Sequence, residues 1–77
     1  MATVYVYSRR GCHLCEVLIE ELSPLVRGRF ALEIRDIDSK PEWHERFWQD
    51  IPVVEFDGEI ICRHILDRGA ITGILRR

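Results

Sequence analysis

Cys12-His13-Leu14-Cys15 follows closely on an apolar run, Val4-Tyr5-Val6-Tyr7, and opens a segment with helical spacing. Two thiols three residues apart on the first turn of a helix can close a disulfide with little backbone movement. A helix N-terminus carries partial positive charge, which favours a thiolate over a thiol. A strand that feeds a CxxC at a helix start therefore constrains the chain twice. It sets a strand–helix pair and marks a redox site at their junction.

The 77 residues suffice for one small domain, expected to span residues 1–77, and 47% hydrophobic content supplies a single modest core. A net charge of −2 excludes the strongly basic surface of a nucleic-acid binder. Arg9-Arg10 and Arg76-Arg77 are the close basic pairs. Met1-Ala2-Thr3 leads straight into strand-like sequence without the pattern of a secretory leader. No apolar stretch approaches the roughly 20 residues that span a bilayer. A soluble cytoplasmic protein, monomeric and without a membrane partner, is expected. In that compartment structural disulfides are rare, so a CxxC reads as catalytic or metal-binding. Three cysteines, an odd number, do not suit a full structural disulfide framework.

Thr3 to Tyr7 reads as a strand buried on both faces. A helix is expected from about Cys12 to Leu22, with Leu14, Leu18, Leu22 and Leu25 inward and Glu16, Glu20 and Glu21 outward. Ser23-Pro24 should kink that helix or start a further turn. Phe30 to Ile37 alternates as a second strand. Ser39 and Glu42 have capping-box spacing ahead of a short helix ending near Trp48, with Trp43 and Phe47 facing the sheet. Residues 51–56 and 59–62 form a hairpin about Asp57-Gly58, a strong two-residue turn signal. A last helix covers Asp67 to Leu75, with Ile71, Ile74 and Leu75 inward. The order is β-α-β-α-β-β-α. It implies an α/β fold in which a four-stranded mixed sheet carries helices on both faces, its first two strands parallel.

That order, with CxxC after the first strand and Ile51-Pro52 opening the third, resembles the thioredoxin fold in its minimal glutaredoxin form. Tyr7-Ser8-Arg9-Arg10-Gly11-Cys12-His13-Leu14-Cys15, Asp36-Ile37-Asp38, Ile51-Pro52-Val53 and Phe56-Asp57-Gly58-Glu59 carry the likeness. Together they look most like the small bacterial glutaredoxin-like proteins. The resemblance implies that Cys12 is the nucleophile and Cys15 the resolving cysteine. It makes Pro52 the cis-proline facing the CxxC, and Ile51 the residue whose backbone meets a substrate. Arg9 or Arg10 falls where glutaredoxins carry a basic residue. No tightly bound cofactor is implied, and glutathione enters as a candidate co-substrate. The chain departs from the family pattern in His13 and Leu14 between the cysteines, in Asp50-Ile51 before the proline, and in Cys62-Arg63-His64 where glutaredoxins have paired glycines and an acid. The last departure removes the acidic residue that, in glutaredoxins, grips the glutathione amine.

Thiol–disulfide exchange needs an accessible thiolate and a second thiol to resolve the mixed disulfide. The helix N-terminus, Arg9, Arg10 and a protonated His13 would all support a Cys12 thiolate, and no acidic residue lies between Ser8 and Cys15. The expected site is thus Cys12 and Cys15, with Arg10, His13, Ile51 and Pro52 contacting substrate. The substrate is a disulfide in a protein or small thiol, with a separate reductase as a possible partner. Two other readings compete. Cys12, Cys15, Cys62 and His64 have the donor types of a zinc site, or the CxxC could serve an iron–sulfur module. A protein-binding adaptor could also keep the fold without turnover. Cys62 ends an apolar strand and reads first as a buried small hydrophobe. An exposed Trp48 beside Ile51-Pro52 would line a substrate groove.

Overall fold

The computed structural model describes residues 2–77; Met1, and with it the start of the chain, lies outside the described residues. Four strands and three helices follow in the expected order: β1 Thr3–Ser8, α1 His13–Val26, β2 Ala31–Asp36, α2 Pro41–Phe47, β3 Val53–Phe56, β4 Glu59–Arg63 and α3 Arg68–Leu75. The sheet order is β2-β1-β3-β4. β1 runs parallel to β2 and antiparallel to β3, and β3 pairs antiparallel with β4. The helices cover both faces. Val4 and Val6 of β1 pack with Leu18, Leu22 and Val26 of α1 and Ile71 and Ile74 of α3. Tyr5 and Tyr7, on the opposite face, meet Trp43 and Phe47 of α2. This two-sided burial explains why β1 is nearly free of polar residues.

Three local expectations are corrected. First, α1 continues through Pro24 to Val26. Pro24 has no N–H to offer, yet Arg27 N–H bonds the Ser23 carbonyl (3.1 Å) and the ladder resumes. An interior proline costs about 3 kcal/mol. Burying Val26 fully and Leu25 in part recovers a similar amount, at roughly 1.5–3 kcal/mol for a fully buried side chain. Second, the buried stripe of α1 is Cys15, Leu18, Leu22 and Val26, while Leu14 faces solvent. Cys15 takes the inward position of the first turn and turns Leu14 out. Third, Ser39 does not cap α2. Asp36 accepts the Asp38 N–H (2.9 Å) and its carbonyl takes the Ser39 hydroxyl (2.6 Å), winding Ile37–Ser39 into a 3-10 turn. Such local side-chain bonds compete with helix capping. Lys40 is left at the cap with no side-chain bond, and Pro41 sits in the first turn as expected.

The hairpin forms as the sequence predicts. Asp57 and Gly58 both have positive φ, 53° and 79°, the pattern of a type I′ turn. Between Val54 and Glu55 the β3–β4 register slips, because Val54 faces Cys62 while Glu55 faces Ile60. Ile61 is therefore the extra residue of a bulge. The bulge puts Ile60 against the α2 layer and both Ile61 and Cys62 against the α1–α3 layer.

Candidate active site

Strand pairing gathers the chemistry at one end of the sheet. Tyr7 lies beside Val53, and Val53 beside Arg63. The loop leaving β1, the loop entering β3 and the loop leaving β4 therefore share that end. They carry Arg9 to Cys12, Trp48 to Pro52 and His64 to Leu66.

Gly11, at φ 76°, turns the chain out of β1, and Cys12 becomes the N-cap of α1. The Cys12 Sγ accepts the Cys15 N–H at 3.2 Å, and the Cys12 carbonyl accepts the Glu16 N–H at 3.1 Å. A negative sulfur at that position is favoured by the N–H and by the helix dipole together. Cys12 and Cys15 are joined as a disulfide, with Cα atoms 5.2 Å apart. The two sulfurs have unequal surroundings. Cys12 is half-buried, whereas Cys15 is fully buried at the root of the helix.

The neighbouring charges differ from the sequence expectation. Arg9 forks onto Asp38, with Nε to Oδ2 at 3.0 Å and Nη2 to Oδ1 at 3.1 Å. The pairing of Arg9 with Asp38 has no local sequence signal, because 29 positions separate the two. Arg10 is exposed and joins no ion pair among the described residues. His13 points outward, its Nδ1 3.9 Å from a Glu16 carboxylate oxygen. Both partners are well solvated, so this pair contributes little.

On the facing loop the Ile51–Pro52 peptide bond is cis. Pro52 is buried, and its carbonyl accepts the His64 N–H at 2.8 Å, clipping the β4 end to the β3 entry. The Ile51 amide is already donated to the Phe47 carbonyl (3.1 Å), and no backbone N–H of the described residues reaches the Ile51 carbonyl. Of its two main-chain groups, only the carbonyl is open to a bound chain. The Asp50 carboxylate lies 3.7 Å from Arg63 Nε and 4.0 Å from His64 Nε2.

His64 has φ 67°, and the Ile65 N–H bonds the Arg63 carbonyl at 2.7 Å. That is a γ-turn centred on a histidine, in the left-handed region where glycine is favoured. Ile65 is thrown into solvent beside it. Neither feature shows in the sequence except as the missing glycines.

Cys62 stands apart. It packs in the α1–α3 layer, and burial raises its thiol pKa above the ordinary 9.0 despite a stabilising bond from the Asp67 backbone. Among the described residues no three His, Cys, Asp or Glu side chains group as metal ligands. The donor set Cys12, Cys15, Cys62 and His64 is not brought together. A further polar group lies on the α2 face. The Tyr7 hydroxyl donates to Glu55 and accepts from Arg35, both at 2.9 Å, and the Arg35 guanidinium lies over the Tyr5 ring (3.8 Å) and near the Trp43 ring (5.0 Å). A lone carboxylate in the apolar β3 was its signal.

Comparison with known proteins decides the family. A model of the glutaredoxin-like domain (DUF836) matches residues 3–76. The chain belongs to this glutaredoxin-like family. A glutaredoxin-like protein of Dictyostelium discoideum, described as a YDR286C homolog, is 34% identical over 68 residues. The match takes in 79% of this chain but only 63% of the Dictyostelium protein. The solution structure of protein Ne2328 from Nitrosomonas europaea superposes with a TM-score of 0.83 at 30% identity, covering 95% of this chain and 89% of the other. The glutaredoxin-like chain thus has the thioredoxin-like α/β fold that its motifs resemble.

Proposed function

We propose that this protein is a dithiol–disulfide oxidoreductase in which Cys12 attacks and Cys15 resolves. The observation that carries the reading is the asymmetry of the pair. The outer cysteine is half-buried at a helix N-terminus and its sulfur accepts a backbone N–H, while its partner is fully buried one turn inside. In the reduced protein the Cys12 thiolate attacks one sulfur of a substrate disulfide. A mixed disulfide forms and the other substrate sulfur leaves as a thiolate, taking up a proton. Cys15, losing its proton, then attacks the Cys12 sulfur. The second substrate thiol departs and the Cys12–Cys15 bond closes. Two electrons pass from the dithiol to the substrate, and an external thiol or a reductase must return them.

Arg10 and His13 border the entrance to Cys12, and Arg10 supplies positive charge to an approaching substrate. Ile51 presents its carbonyl and Pro52 fixes the facing loop. A reducing compartment such as the cytoplasm suits a dithiol that must be returned to the thiol state. The scattered donors give no support to a zinc site within one chain. An adaptor without turnover has no use for the unequal sulfurs.

The test is iodoacetamide alkylation of the reduced protein across pH, alongside turnover of a protein disulfide with dithiothreitol as reductant. Cys12 should titrate below the roughly 8.5 of free cysteine. Cys12→Ser should abolish turnover, and Cys15→Ser should trap the mixed disulfide. A Cys12 that alkylates like free cysteine, in a protein without turnover, overturns the reading.

A further inference from the structure

Leu14 occupies a position that helical periodicity assigns to the core, yet it is 54% exposed. Five large apolar side chains are exposed among the described residues: Leu14, Val17, Ile34, Trp48 and Ile65. Three of them flank the dithiol end of the sheet. Leu14 stands between the two cysteines. Trp48, 52% exposed, closes α2 three residues before Ile51, and Ile65, 73% exposed, follows the histidine clipped to Pro52. Each is tied to the site by a different element, so their gathering is a property of the topology.

We infer that Leu14, Trp48 and Ile65 form an apolar rim that docks a polypeptide disulfide carrying bulky apolar side chains beside its cysteine. The inference rests on the dithiol reading above. Continuity with Cys12 identifies the occupant, because whatever covers this rim places its own sulfur at the outer cysteine. Its size follows from the sheet. Leu14 sits on the first turn of α1, which follows β1, and Ile65 lies in the loop after β4; β1 and β4 are two strand positions apart, and strands lie about 4.8 Å apart. The rim therefore spans on the order of 10 Å, the length of about three extended residues at ~3.3 Å each. A small hydrophilic thiol such as glutathione would leave these side chains in water. A polypeptide with apolar residues flanking its cysteine would cover them.

The γ-turn at His64 is an independent sign. A histidine held at φ 67°, with its N–H on the Pro52 carbonyl, directs the chain so that Ile65 projects from the rim. Strained backbone that persists is characteristic of sites where the geometry is used. No acidic side chain stands free at this turn to receive a glutathione amine, since Asp67 caps α3 through the Ala70 N–H (3.0 Å) and Asp50 is shared by Arg63 and His64.

The experiment is single-turnover reduction by the pre-reduced protein, whose own dithiol supplies both electrons. Three disulfides are compared: a peptide with Leu and Phe flanking the cysteine, the same peptide with Ser at those positions, and glutathione disulfide. The apolar peptide should react about tenfold faster at subsaturating concentration than either of the others, the scale of a modest interface anchor. Trp48→Gln with Ile65→Ser should remove that preference, with the thermal midpoint measured to establish folding. Equal rates for the two peptides, or glutathione disulfide fastest, overturns the rim. So does sedimentation showing that the wild type is a dimer dissociated by Trp48→Gln, because the rim would then be covered by a second copy. If no disulfide opens and Cys12 alkylates like free cysteine, the dithiol reading itself falls and the rim with it. Reaction without preference removes only the rim.

Discussion

His64 holds a conformation that suits glycine better than histidine. Its φ of 67° would cost a residue with a Cβ on the order of 1 kcal/mol. The resemblance to glutaredoxins calls for paired glycines in this stretch, and the backbone here keeps the turn without them. The N–H bond to Pro52 and the neighbouring Asp50 hold His64 in place. His64→Gly should therefore raise stability, by up to about 1 kcal/mol, because relief at positive φ outweighs the added freedom of the unfolded chain. A urea midpoint that falls on this substitution would mean that the His64 side chain contributes more than its backbone costs.

The elements divide into those legible in the sequence and those decided by competition. The Asp57-Gly58 hairpin was readable because both turn residues tolerate positive φ, and the structure uses that tolerance at both. A Cβ on Gly58 would meet nothing within 4 Å, so Gly58→Ala isolates the backbone term. It should destabilise by about 1 kcal/mol, read as a lower denaturant midpoint at unchanged slope. An unchanged midpoint would place the turn outside type I′. The ends of α1 and α2 were less legible. Local rules stop α1 at Ser23-Pro24, but Val26 finds a buried place beyond it. Ser39 has capping spacing, but Asp36 captures the local donors first. The dithiol, Pro52 and the loops that hold them could be read because a short motif fixes them. The Arg9–Asp38 fork and the γ-turn could not, since each depends on which distant segment arrives beside it, and Leu14 faces out because Cys15 takes the inward place of the first turn.

At the scale of the molecule the sheet separates two layers, and each contains an ionisable group that is harder to charge in the folded state. Cys62 lies in the α1–α3 layer, where burial raises its pKa from 9.0. Tyr7 lies in the α2 layer, where burial first and the Glu55 bond second raise its pKa from 10.0, against the opposing pull of Arg35. The sign follows from proton linkage. When pH passes the unfolded values, the unfolded chain releases these protons first and is stabilised relative to the fold. Stability from this source is complete below about pH 9 and declines above it, Cys62 acting first and Tyr7 later. Because the groups sit on opposite faces, their effects should add. The urea midpoint of the oxidised protein should fall between pH 8 and roughly pH 11. Cys62→Ala should flatten the first part of that decline and Tyr7→Phe the second. Parallel curves for wild type and both variants would show that neither group carries the alkaline loss and that the two layers respond to some other charge.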